Sequence, residues 1–119
     1  VNDQIGSPTY TGQLAENILR LIDQNSEKYG IYHYSDEGRI SWFDFSVAIR
    51  DFLKNRNDFT FSDPGLVINA VGSDAFPAPA RRPKFSLMDK GKVKRELGFD
   101  IQPWEENLHL YLNNVLSRS

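Results

Sequence analysis

Apolar positions along the chain fall into a few distinct rhythms. Leu14, Ile18, Leu21 and Ile22 recur at helical spacing and predict an amphipathic helix over 11–26 with one buried face. Thr9 or Thr11 can cap it by accepting a hydrogen bond from a free first-turn N–H. Residues 31–34 are β-prone with alternating aromatics and read as a strand, followed by a turn at Asp36-Glu37-Gly38. Trp42, Phe45, Ile49, Phe52 and Leu53 form a second helical stripe, predicting a helix over 41–55 whose aromatic face belongs to the core. Ser41 is its cap, with the Asp44 carboxylate reaching back.

The second half is read the same way. Residues 55–65 form a loop with an Asp63-Pro64-Gly65 turn, and 66–71 form an apolar strand broken only by Asn69. Met88 and Val93 flank a capping Asp89 at the spacing of a hydrophobic staple, and Gly98 stands at a C-terminal stop, so 89–97 is a short helix. Its Lys90, Lys92, Lys94 and Arg95 are read as a solvated face. A last helix opens near Pro103 and buries Trp104, Leu108, Tyr111, Leu112, Val115 and Leu116. Residues 1–10 read as a polar connection with Gly6 and Pro8 as turn formers. The expected class is α+β, in the order α-β-α-β-α-α: four helices, two short strands and a Pro-rich loop.

That loop, residues 76–89, holds three of the six prolines. Proline fixes φ and lacks an N–H, so the segment is extended and stiff, not helix or central strand. It carries Arg81 and Arg82. On residue type alone both are solvated loop charges. A guanidinium held on a stiff strap is also a fork suited to a phosphate or carboxylate.

Composition narrows the class. The 119 residues fit one domain, with 39% hydrophobic and 25% charged residues. A net charge of −2 and the lack of a basic stripe argue against a nucleic-acid surface. There is no cysteine, which excludes disulfides and thiol chemistry and fits a cytoplasmic location. No apolar run approaches the ~20 residues of a membrane span. Neither a glycine-rich dinucleotide loop nor a Gly-x-Ser-x-Gly elbow occurs, and Tyr-x-x-x-Lys is absent. His33 and His109 are isolated from other ligand types, so no zinc signature exists. The residues point to a binding or substrate-facing domain and to no catalytic residue. The start, Val1-Asn2-Asp3-Gln4, reads like the end of a strand entered from upstream, and a fragment is expected.

Two elements are more specific. The stretch from Val1 to Tyr10 holds a DQxGxPT pattern, and Arg82-Pro83-Lys84-Phe85-Ser86-Leu87-Met88-Asp89 holds an RPxxSxLD pattern with Met88 in the usual Leu place. Together with the stretch around Ser41-Trp42-Phe43-Asp44-Phe45, they make the chain resemble the C-terminal part of the dTDP-4-dehydrorhamnose reductases, extended short-chain dehydrogenases of Rossmann type. The resemblance covers nearly the whole chain and is weakest over 55–72.

The resemblance implies an NADPH-dependent reductase acting on a dTDP-sugar. NADPH and the Ser/Thr-Tyr-Lys group would lie in an N-terminal Rossmann domain absent from 1–119, leaving this piece inactive alone. The alternative is a non-catalytic regulatory or binding relative of the same fold. Arg82 matches the family's RP arginine and is expected to line the substrate site near the diphosphate. Ser86 could donate to sugar or diphosphate, or bond to backbone. Gln4 and Thr9 border the pocket or hold a turn. Some family members form dimers bridged by magnesium on glutamates of the first and last helices. The matching positions here are Gly12 and Asn114, which puts the metal in doubt. Without its Rossmann domain, the piece is expected to expose strand edge and apolar surface, and so to form a homodimer or rearrange.

Overall fold

The computed structural model describes residues 1–75 and 79–117. Phe76, Pro77 and Ala78 of the expected proline strap therefore lie outside the described residues. Four α-helices and two short strands are present among the described residues, in keeping with an α+β class. The chain forms two compact units, Val1–Gly6 with Arg39–Ser86 and Ser7–Gly38 with Leu87–Ser119.

In the first unit, the strands are not those the alternation predicted. β1 (Ile5–Gly6) pairs antiparallel with β2 (Ile40–Ser41), Ile5 facing Ser41 and Gly6 facing Ile40. Ile5 also bridges Phe85 in parallel sense, its N–H donating to the Lys84 carbonyl and its carbonyl accepting from the Ser86 N–H, both at 2.9 Å. β1 is thus the middle of three extended segments, although residues 1–10 read as a plain connection. Residues 66–71 form no strand: the Val71 carbonyl accepts from the Asn2 N–H, while Leu66 and Val67 are exposed. β-propensity without a ladder partner does not make a strand.

Helix α2 (Trp42–Lys54) starts where Ser41 predicts. The Asp44 N–H donates to Ser41 Oγ at 3.0 Å, and that hydroxyl donates to the Asp44 carboxylate at 2.6 Å. Its aromatic stripe is not core. No α2 residue is fully buried, and Trp42 is 62% exposed. The Asp63-Pro64-Gly65 turn forms with the Gly65 N–H donating to Asp63 Oδ1 at 2.9 Å.

The second unit holds every fully buried apolar side chain among the described residues. Val93, Phe99 and Ile101 make the core, packed by Leu21, Tyr32, Tyr34 and Leu97, with Trp104 and Leu108 also buried. Helix α1 (Thr11–Asp23) stops earlier than periodicity predicts, since Asn25 turns left-handed at φ 45. Its stripe is only partly covered: Leu21 meets the core, while Ile18 and Ile22 are exposed. Residues 31–34 are not a strand. No described strand lies beside them. The chain there sends Tyr32 and Tyr34 inward, and Tyr34 meets Phe99 edge-on at 6.1 Å.

Helix α3 (Gly91–Leu97) begins two residues after Asp89, whose Oδ1 accepts from the Gly91 N–H in a turn instead of capping a longer helix. Of the expected staple, Val93 is buried but Met88 is exposed. Gly98 ends α3 in the left-handed conformation, as predicted. The α3 cations are not a uniformly solvated face: Lys90 is nearly buried and pairs with Glu37, and Lys92 sits over the Tyr32 ring at 4.4 Å. Helix α4 (Trp104–Leu116) buries Trp104 and Leu108, yet leaves Tyr111 and Val115 about half exposed.

Candidate functional site

The two motifs meet on one strand. In the first unit, Asn2 and the first three residues of the DQxGxPT element, Asp3 to Ile5, bond to chain on both sides of the arginine-bearing segment. On one side the Asn2 N–H donates to the Val71 carbonyl at 2.9 Å. Asp3 Oδ1 accepts from both the amide (3.0 Å) and the hydroxyl (2.7 Å) of Ser73, at the start of a short 3-10 turn. Gln4 Nε2 donates to the same Ser73 Oγ at 3.0 Å. The Ser73 hydroxyl and then its amide hold the Asp3 carboxyl below its ordinary value, with Lys84 adding to the effect. On the other side Ile5 holds Lys84 and Ser86 through its backbone.

Each expected residue has a definite place. Gln4 is partly buried in the Ser73 network. The Ser86 hydroxyl donates to the Ile5 carbonyl at 3.3 Å, the backbone bonding that its residue type allows. A Cβ on Gly6 would stand 2.9 Å from Ser86 Oγ, so the glycine of one motif and the serine of the other fit as a pair. Arg82 and Arg81 are both exposed on the strap, Arg82 two residues before the Lys84 carbonyl that Ile5 holds.

Thr9 belongs to the second unit and is exposed. It does not cap α1, and neither does Thr11. The cap residue is Tyr10, whose side chain makes no cap bond. Its N–H donates instead to both carboxylate oxygens of Asp36 at 3.2 Å. Asp36 is 1% exposed, and its backbone is tied as well: its N–H donates to the Pro8 carbonyl, and its carbonyl accepts from Ser7 Oγ and Lys90 Nζ. Burial pushes the Asp36 carboxyl up, against the Tyr10 amide, Asn107 and Lys90, which pull it down. Next to it, burial would raise Glu37, but Lys94 and Lys90 outweigh that and hold it below its ordinary value.

Asp3, Ser73 and Asp36 are the residues sequence reasoning missed. Asp3 stood in the quoted motif beside Gln4. Ser73 and Asp36 carry no spacing signal, because their partners lie far along the chain.

The magnesium positions do not fit a metal. Gly12 has no ligand atom, and the Tyr10 ring would stand 2.5 Å from a side chain there; Asn114 supplies only a neutral oxygen. Among the described residues no three His, Cys, Asp or Glu side chains cluster.

The two motifs thus share a strand within an α+β fold. Over residues 1–117 the chain matches the family described as RmlD substrate binding domain, and it belongs to that family. It is 32% identical over 112 residues to a dTDP-4-dehydrorhamnose reductase of Aggregatibacter actinomycetemcomitans, covering 91% of this chain and 37% of that protein. It is 35% identical over 114 residues to the spore coat polysaccharide biosynthesis protein SpsK of Bacillus subtilis, covering 94% of this chain and 35% of the relative. The crystal structure of a dTDP-4-dehydrorhamnose reductase from Clostridium acetobutylicum superposes with a TM-score of 0.81 at 30% identity, over 97% of this chain and 37% of that one. The Bacillus anthracis enzyme in complex with NADP gives 0.77 at 31% identity, over 95% and 36%. The chain thus spans little more than a third of the length of these relatives.

Proposed function

We propose that residues 1–119 are the C-terminal substrate-binding portion of an NADPH-dependent dTDP-4-dehydrorhamnose reductase. The whole enzyme reduces dTDP-4-dehydro-L-rhamnose to dTDP-L-rhamnose, in nucleotide-sugar synthesis for cell-surface polysaccharide. NADPH delivers hydride to the sugar carbonyl carbon from an N-terminal Rossmann domain that also holds the Tyr-x-x-x-Lys pair. This segment holds the dTDP-sugar, with Arg82 forking onto the diphosphate through paired hydrogen bonds. Gln4, Thr9 and Ser86 border the same site. A cytoplasmic location goes with this reading.

The observation that carries it is the seam at Ile5, which joins the DQxGxPT and RPxxSxLD elements as neighbouring extended segments. Family membership and the names of the relatives support the choice of reaction. Exposed Ile18, Leu19 and Ile22 on α1 support packing against the enzyme's own Rossmann domain. The same surface supports self-association, a homodimer included, when that domain is missing.

The test is a steady-state assay of the full-length protein with NADPH and dTDP-4-dehydro-L-rhamnose. Turnover is expected, with Arg82→Ala raising KM about tenfold and leaving kcat less affected. A full-length protein that binds dTDP-sugars without oxidising NADPH would overturn the reductase reading.

A further inference from the structure

Of the cations on the strap, Lys84 has the most closely held backbone. Its carbonyl accepts from the Ile5 N–H at 2.9 Å, the next residue bridges Ile5, and the Ser86 N–H returns to the Ile5 carbonyl at 2.9 Å. Its side chain is nonetheless exposed and takes part in no hydrogen bond or ion pair among the described residues. Other lysines are committed to their own chain: Lys28 and Lys92 donate to the Glu96 and Ile31 carbonyls, and Lys90 and Lys94 pair with Glu37. The acid that feels Lys84 is Asp3. Ser73 lowers the Asp3 carboxyl most and Lys84 adds to the effect, yet that carboxylate bonds to Ser73 and forms no ion pair with Lys84. A fixed backbone beneath an unengaged ammonium suits a ligand from outside, because little backbone order remains to be lost on binding.

Only Pro83 separates Lys84 from Arg82, and proline fixes its own φ. Two residues of chain span at most about 7 Å, so both cationic side chains leave one short, stiff stretch. The diphosphate of a nucleotide sugar carries negative charge on each phosphate. A guanidinium fork engages one phosphate through paired bonds, whereas a lysine ammonium acts as a compact point charge. We propose that Lys84 is a second ligand of the nucleoside diphosphate, its ammonium meeting the phosphate that the Arg82 fork leaves uncovered. This rests on the reading of Arg82 as a diphosphate ligand. The RPxxSxLD pattern leaves position 84 open, so the contact belongs to this chain and is not dictated by the motif.

The experiment reads dissociation constants of the full-length protein for dTDP, dTMP and thymidine by calorimetry, at low and at high salt. Lys84→Met removes the charge, keeps an unbranched side chain and leaves the backbone bond to Ile5 in place. It is expected to weaken dTDP about fivefold at low salt, dTMP less, and thymidine hardly at all. The loss shrinks as salt rises, because the contact is partly open to water. Lys84→Arg is expected to restore most of the dTDP affinity. Arg81→Ala takes one charge from the same strap and is expected to change dTDP affinity by less than about twofold. If Arg82→Ala weakens dTDP but Lys84→Met does not, the Lys84 contact fails and the binding role of Arg82 stands. Equal losses in Arg81→Ala and Lys84→Met, or a thymidine loss as large as that for dTDP, overturn the contact as well, since the first reports a general field and the second an effect away from the phosphates. If Arg82→Ala leaves dTDP affinity unchanged, the diphosphate reading itself fails, and the pairing of Lys84 with Arg82 fails with it.

Discussion

At the scale of single residues, two glycines separate conformational need from space. Gly38 has φ +94, and a Cβ there would stand 2.8 Å from the Trp104 indole. Gly98 has φ +65 but nothing within 4 Å. Gly38→Ala is therefore expected to destabilise by about 2 kcal/mol or more, and Gly98→Ala by about 1 kcal/mol, measured by urea unfolding of the full-length protein. Equal losses would show that crowding against Trp104 does not matter. Glu37 and Asp36 respond to pH in opposite senses. Glu37 is held below its unfolded value, so its contribution is present above that value and is lost as pH falls through the folded one. Asp36 is held above its unfolded value, so its contribution is present in acid and lost as pH rises through the folded value. Glu37→Gln is expected to flatten the acid limb of a melting-temperature profile, whereas Asp36→Asn is expected to flatten the rise of cost with pH above it. An unchanged acid limb in Glu37→Gln would show that the Lys90 and Lys94 pairs contribute nothing to folding.

At the scale of elements, the helix ends show two ways of satisfying free N–H groups. α2 is capped from within by Ser41, which its sequence announces. α1 is served from a distance by Asp36, which no local pattern could indicate. Ser41→Ala is expected to cost about 1 kcal/mol. Asp36→Ala leaves the Tyr10 N–H without its acceptor in a buried place and is expected to cost about 1–3 kcal/mol, the larger share recovered by Asp36→Asn. Denaturant midpoints for the three variants check the ranking. A loss in Asp36→Asn as large as in Asp36→Ala would mean that the charge beside Lys90, not the hydrogen bond to α1, is what matters.

For the whole molecule, the core is unevenly shared. Val93, Phe99, Ile101, Trp104 and Leu108 all belong to the second unit, whereas no apolar side chain described in the first is fully buried. Local stability follows buried apolar contact. Amides of α3 and α4 that bond within their helices are expected to exchange most slowly in hydrogen exchange, and those of α2 and residues 55–72 much faster. Uniform protection across both units would contradict this. The segment expressed alone is expected to associate with rising concentration in light scattering, given Ile18, Leu19, Ile22 and Trp42 in the open. A strictly monomeric species would count against that expectation.

The sequence by itself determined the parts governed by near neighbours. Four helices, the Ser41 cap, the Gly98 stop and the Asp63-Pro64-Gly65 turn are all legible because their partners lie within four residues. The two motifs were legible too, and with them the family. Only the tertiary structure decided what depends on distant partners. Strand identity moved from 31–34 and 66–71 to Ile5–Gly6 and Ile40–Ser41, since a ladder needs a second chain segment and β-propensity cannot supply one. Stripes on α1 and α2 marked apolar faces correctly but not what covers them, because periodicity records a face and not its neighbour. The same limit hid Asp3 and Asp36, whose roles exist only where Ser73 and Tyr10 come to them across the fold.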